Sequence, residues 1–164
     1  MRLQKAATMP VPSPYVRAPK HRQVLRMDEE QTATAVIDCA LKIHRAIGPG
    51  MLESAYQAML SFELADRGHD VAQQVYVGLN YRGLHLERAF CVDLIVDECV
   101  VVEIKSLEKL APVHTRQILT YLRMTGHHLG LLINFGQETL KAGGIHRLAN
   151  GYRCQQKNPS FPSP

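Results

Sequence analysis

Three side chains in the middle of the sequence have the types and spacing of a divalent-metal site: Asp93, Glu103 and Lys105. The stretches 88–96 and 100–105 are rich in Val and Ile and flank the turn-like Asp97-Glu98-Cys99, so they read as a β-hairpin. A hairpin symmetric about Glu98 sets Asp93 opposite Glu103, with Cβ atoms about 5 Å apart. Two like charges so placed destabilise a strand pair, and the apolar flanks raise that cost. A divalent cation between them would turn the repulsion into coordination, and a few hard oxygen ligands suit Mg²⁺ or Mn²⁺. Lys105 lies two residues beyond Glu103 and so projects from the same face. Its ammonium can stabilise hydroxide or offset charge on a phosphate. One extra residue in the turn would send the partner to the opposite face. The competing reading is that an acid and a lysine two apart simply mark an exposed strand edge. The neighbouring Val100–Val102 and Ile104 argue against an edge.

Helices and further strands must hold these residues. Ala33, Val36, Ile37, Ala40, Leu41, His44 and Ile47 form one helical stripe, beginning near Asp28 and broken by Gly48-Pro49-Gly50. A second helix is predicted over 51–67, with Leu52, Ala55, Tyr56, Met59 and Phe62 as its stripe and Gly68 as its stop. Residues 71–79 and 84–87 read as strands around Asn80-Tyr81-Arg82-Gly83. Pro112 suits the first turn of a third helix that ends before Gly126. Buried strands follow at 129–135 and near 145–149. The unit formed by strand 100–105, helix 113–125 and strand 129–135 places its two strands parallel. The expected fold is α/β, with a mixed sheet and helices packed on it.

Charge divides the chain. Residues 1–26 hold six Lys+Arg and no acid, so they carry +6. The remainder, with 13 Lys+Arg against 15 Asp+Glu, carries −2. The net +4 of the 164 residues therefore does not mark a nucleic-acid-binding domain. The expected organisation is a flexible, basic, Pro-containing tail at 1–26, a folded domain at 27–150 and a flexible polar tail at 151–164. The basic tail reads as a solvated extension, or as a tether attracting nucleic acid without sequence preference. Cys39, Cys91, Cys99 and Cys154 show no C-x-x-C spacing, so no zinc or iron–sulfur site is expected. No apolar run is long enough to span a membrane, and no signal segment is evident. A cytoplasmic location is expected.

At these residues the chain resembles a known family. Asp93 followed by Glu103-Ile104-Lys105 is similar to the D…(D/E)-x-K signature of the PD-(D/E)xK nuclease superfamily. Gly50-Met51-Leu52-Glu53-Ser54-Ala55-Tyr56 resembles the motif that names the small bacterial GxxExxY proteins. Similar stretches continue through Leu107–His114, Gln117–Leu122 and Gly130–Phe135, so the resemblance covers about 28–150. It implies a restriction-endonuclease-like core, a central mixed β-sheet flanked by helices. It implies that Asp93 and Glu103 bind the metal, that Lys105 is the catalytic lysine and that Glu53 is a third carboxylate. Gln117 and Tyr121 match the Q-x-x-x-Y of RecB-like nucleases; four apart on a helix, they can reach one site together.

Each assignment has a plainer rival. Glu53 near a helix N-terminus is favoured by the helix dipole alone. Tyr56 and Tyr121 can be packing residues, and His44 on an apolar stripe reads first as a core histidine. His127-His128, after Gly126, reads as a solvated turn. Three functions stay in view: a Mg²⁺- or Mn²⁺-dependent nuclease, a catalytically silent module acting with a homodimer or accessory partner, and a tail that tethers nucleic acid.

Overall fold

The structure, a computed structural model, describes residues 28–151. The tail expected at 1–26, and all but Gly151 of the one expected at 151–164, lie outside these residues. The elements are α1 (Glu29–Ile47), α2 (Glu53–Asp66), β1 (Val71–Tyr81), β2 (Leu84–Val96), β3 (Val100–Lys105), α3 (Pro112–Thr125), β4 (Leu129–Asn134) and β5 (Ile145–Ala149), with a 3₁₀ turn at Leu140–Ala142. The strands form one sheet in the order β1-β2-β3-β4-β5. Only β3 and β4 are parallel, joined by the α3 crossover as the β-α-β pattern requires. No helix among the described residues is long and apolar enough to cross a membrane.

Two cores clothe the sheet. On one face α1 and α2 supply Ala33, Val36, Ala40, Ile43, Tyr56, Leu60 and Leu64 against Leu94, Val102, Ile104, Leu131 and Ile133. On the other, Ile118, Tyr121 and Leu122 of α3 cover Val92, Val101 and Leu132. β3 and β4 are buried on both faces, which is why they read as unbroken apolar runs. Gly130 lets α3 approach closely: a Cβ there would lie 3.1 Å from the Ile118 side chain.

The hairpin register is symmetric about Glu98, pairing Val96 with Val100, Ile95 with Val101 and Leu94 with Val102. Asp97 and Glu98 adopt left-handed backbone within the three-residue turn that ends at Cys99. Asp97 ties this turn to the helices. Its carboxylate accepts hydrogen bonds from Thr32 Oγ1 (2.9 Å) and the Asp70 N–H (3.0 Å), and lies 2.7 Å from His69 Nδ1.

Several expectations need correction. The second helix starts at Glu53, and Leu52 and Phe62 of its expected stripe are 76% and 71% exposed. Tyr56 sets the helix's roll instead: its ring stacks on Phe135 with centroids 4.2 Å apart, and Leu60 and Leu64 follow it inward at four-residue steps. Segments 84–87 and 88–96 form one strand, β2, which carries Glu87–Ala89 opposite the single residue Gly78. A Cβ on Gly78 would lie 3.0 Å from the Leu86 carbonyl, so a side chain there would press on the facing strand at this bulge. His127 is not a freely solvated turn residue. Burial holds its pKa below the ordinary value, and its Nδ1 has no hydrogen-bond partner.

The β1–β2 ribbon rolls over part-way along. Val71, Leu94 and Val96 pack toward α1 and α2, whereas Val75, Val77, Phe90 and Val92 pack toward α3. The register is unchanged across the roll, with Gln73 against Leu94 and Val75 against Val92. The residues between them are Gln74 and Asp93.

Candidate active site

Glu103 is the buried centre of a polar cluster on an otherwise apolar strand. It is 2% exposed. Its Oε1 accepts hydrogen bonds from Lys105 Nζ and from Gln117 Nε2, both at 2.7 Å. Its Oε2 is buried with no partner. Strand alternation puts Glu103 and Lys105 on the face covered by α3, and Gln117 and Tyr121 come down on them from that helix. Gln117 Nε2 also donates to the Tyr121 hydroxyl at 2.6 Å. Tyr121 is held in turn by Phe90, stacked at 4.7 Å. Burial, and then repulsion from Asp93, push the Glu103 carboxyl up to about 7 against the pull of Lys105. Burial would lower the Lys105 pKa, but the Glu103 hydrogen bond and the charges of Glu103, Glu53 and Asp93 raise it. Lys105 is therefore an ammonium at neutral pH.

Asp93 sits one step past the last paired residues of the hairpin. Its Oδ2 accepts the Ile104 N–H at 2.9 Å, and its Oδ1 accepts Gln74 Nε2 at 3.3 Å. Burial raises its pKa, opposed by the Ile104 N–H, Lys105 and Gln74. Gln57 on α2 donates to the Asp93 carbonyl at 3.3 Å.

Glu53 enters from the start of α2. Its Oε1 accepts the Ser106 N–H at 3.1 Å, so the carboxylate reaches across to the residue after Lys105. Its charge raises the pKa of both Asp93 and Glu103. The loop delivering it is pinned twice. The Tyr56 hydroxyl donates to the Gly48 carbonyl at 2.6 Å and accepts the Met51 N–H at 3.2 Å. Ser106 Oγ donates to the Met51 carbonyl at 2.7 Å. Tyr56 is thus the clasp of this loop. On the far side, the fully buried Asn134 grips both the N–H and the carbonyl of Leu107, each at 2.8 Å.

Residues 30–148 match the PD-(D/E)XK nuclease superfamily. The chain belongs to this superfamily. The five-strand mixed sheet between helices is its restriction-endonuclease-like core. No curated protein and no solved structure matches the chain. The superfamily's D…(D/E)-x-K pattern falls on Asp93 and on Glu103-Ile104-Lys105, and membership supports a nuclease-type function.

Nucleases of this superfamily typically use divalent metals, and the residues present fit one. Among the described residues, no three His, Cys, Asp or Glu side chains converge into a ready-made cage. A small hard cation does not need one, because Mg²⁺ is commonly held by one or two carboxylates together with water and substrate phosphates. The partnerless Glu103 Oε2 is the atom such an ion would satisfy.

The structure brings Asp93, Glu103, Lys105, Gln117 and Tyr121 together, with Glu53 at the cluster's rim. His44 is engaged elsewhere: its Nε2 lies 2.8 Å from the Gln137 carbonyl, and its ring packs near Phe135. The sequence reading missed Gln57, Gln74, Ser106 and Asn134. Their common signal is weak: polar residues at positions where a neighbouring backbone or carboxylate needs a partner.

Proposed function

We propose that this chain is a divalent-metal-dependent nuclease that hydrolyses phosphodiester bonds in nucleic acid, with Mg²⁺ or Mn²⁺ held by Asp93 and Glu103 and with Glu53 as an outer carboxylate. One observation carries the reading. A buried glutamate has one oxygen doubly hydrogen-bonded and the other without a partner, beside a second partly buried carboxylate. A buried acid so arranged is costly unless a cation completes it. When bound, the ion supplies charge neutralisation at the phosphate and acidifies water.

The chain's own residues divide the remaining work. Lys105, protonated, sets a positive charge where a phosphate oxygen gains negative charge. In that state it holds a proton and does not accept one. Gln117 orients Glu103 and is itself oriented by Tyr121. Within the superfamily, the Gly50–Tyr56 motif supports a place among the GxxExxY proteins.

A second reading, a catalytically silent module acting with a partner, is favoured by the ion pair itself. Lys105 already neutralises one oxygen of Glu103, so part of the charge is balanced without metal. A partner could use the apolar groove of about 390 Å³ between α1 and α2, lined by Ile43, Ile47, Met59 and Phe62. One experiment separates the two readings. Purified protein is incubated with single- and double-stranded DNA and RNA, in Mg²⁺ or Mn²⁺ and in chelator, alongside Asp93→Ala and Lys105→Ala. Metal-dependent cleavage that both substitutions abolish supports the nuclease. Cleavage that survives them removes these roles, and Mn²⁺ titration with no binding favours the silent module.

A further inference from the structure

Four non-glycine residues among the described ones have positive φ: Gln74, Arg82, Asp97 and Glu98. Three of them make hairpin turns, where left-handed backbone is expected. Gln74, at φ 50, is in the interior of β1, where no turn asks for it. Left-handed backbone in a side-chain-bearing strand residue is strained and persists only where the surroundings hold it. Here the amide of Gln74 is fully engaged. Its Oε1 accepts the Cys91 thiol at 3.4 Å, and the acceptor-only Asp93 carboxylate at the other end fixes which end of the amide is nitrogen. Its Nε2 donates to Gln57 Oε1 at 2.8 Å and to Asp93 Oδ1 at 3.3 Å. Gln57 closes the loop by donating to the Asp93 carbonyl. The strain also sits where the β1–β2 ribbon rolls from one core to the other, with Asp93 on the facing strand.

We propose that Gln74 is a positioning residue for Asp93: its left-handed backbone and its amide, oriented by Gln57 and Cys91, fix the direction in which the Asp93 carboxylate is presented to a divalent cation. This rests on the metal reading given above. With Oδ2 held by the Ile104 N–H and Oδ1 by Gln74, the carboxylate cannot rotate freely, and its remaining lone pairs keep one orientation. A glutamate at 74 would set a negative charge against Asp93. An alanine would keep the strain and lose the amide, and a glycine would lose both.

That contrast is the test. Mn²⁺ affinity is measured by calorimetry, and Tm in chelator by circular dichroism, for the wild type, Gln74→Gly and Gln74→Ala. Both variants are expected to bind Mn²⁺ about 10–100-fold more weakly, as when a group orienting a metal ligand is removed. Gln74→Gly is expected to melt at or above the wild-type temperature, and Gln74→Ala below Gln74→Gly. A Gln74→Gly protein that binds Mn²⁺ within about twofold of wild type would overturn the positioning role. A Gln74→Gly protein less stable than Gln74→Ala overturns the strain argument. Wild-type protein that binds no Mn²⁺ overturns the metal reading itself and takes this inference with it.

Discussion

The Lys105 ammonium lies 2.7 Å from Oε1 of Glu103, two residues back on the same strand, and both side chains are largely withdrawn from water. Each favours the other's charged form, yet only one glutamate oxygen is served. Lys105→Ala leaves Glu103 with Gln117 as its remaining donor. Breaking a buried pair in this way costs about 3–5 kcal/mol, and the small remaining exposure of the lysine places the cost toward the lower end. Activity is expected to fall at least 100-fold, with Tm at neutral pH falling by several degrees. Lys105→Arg is expected to recover stability better than activity, because a planar guanidinium cannot take the place of a point charge. Steady-state cleavage and thermal melts check both.

Glu103 gives the metal-free protein a pH dependence with a definite sign. Its folded pKa is raised from 4.5 to about 7. The unfolded chain therefore gives up this proton first as pH rises. Stability from this group is fully present below pH 4.5, is lost between there and about 7, and stays lost above. The loss is on the order of 3 kcal/mol. Melts in chelator are expected to show Tm falling across that window. The fall should be absent in Glu103→Gln, and saturating Mn²⁺ should reverse it in the wild type.

Asp97 acts in the opposite direction at the far end of the hairpin. Burial would raise its pKa, but hydrogen bonds from His69, the Asp70 N–H and Thr32 together hold it below 3.8. Its contribution is present above pH 3.8 and is lost as pH falls through the lower folded value. Asp97→Asn keeps a residue that tolerates left-handed backbone and removes the charge. The variant is expected to be about 1–3 kcal/mol less stable at pH 7. That difference should shrink in acid-denaturation curves below pH 4.

Asn134 tests whether the loop after Lys105 needs its clamp. Asn134→Ala leaves the part-buried N–H and carbonyl of Leu107 without their partner. A loss of about 2–4 kcal/mol is expected. Urea denaturation measures it, and Asn134→Asp, which sets an unpaired buried carboxylate against the Leu107 carbonyl, should lose at least as much.

Much of this protein is legible in its sequence because its signals are local and periodic. The stripes of α1 and α3, the doubly apolar runs of β3 and β4, and the Pro112 and Gly126 punctuation each depend on residues a few positions apart. The hairpin register about Glu98 is local too, and it places Asp93, Glu103 and Lys105 near one another before any tertiary contact exists. The roll of α2 was not legible, because one distant stacking contact, Tyr56 on Phe135, decides it against the pattern of Leu52 and Phe62.

The α/β class, the order of the elements and the strand pair that carries the acids all follow from local pattern along the chain. Long-range packing alone leaves one oxygen of Glu103 without a partner, brings Gln117 to the other beside Lys105, and sets the left-handed Gln74 against Asp93. The reason is physical. Periodicity reports which side of an element faces a core, whereas hydrogen-bond saturation depends on which distant donors arrive at a given atom, and nothing in the spacing of residues along the chain encodes that count.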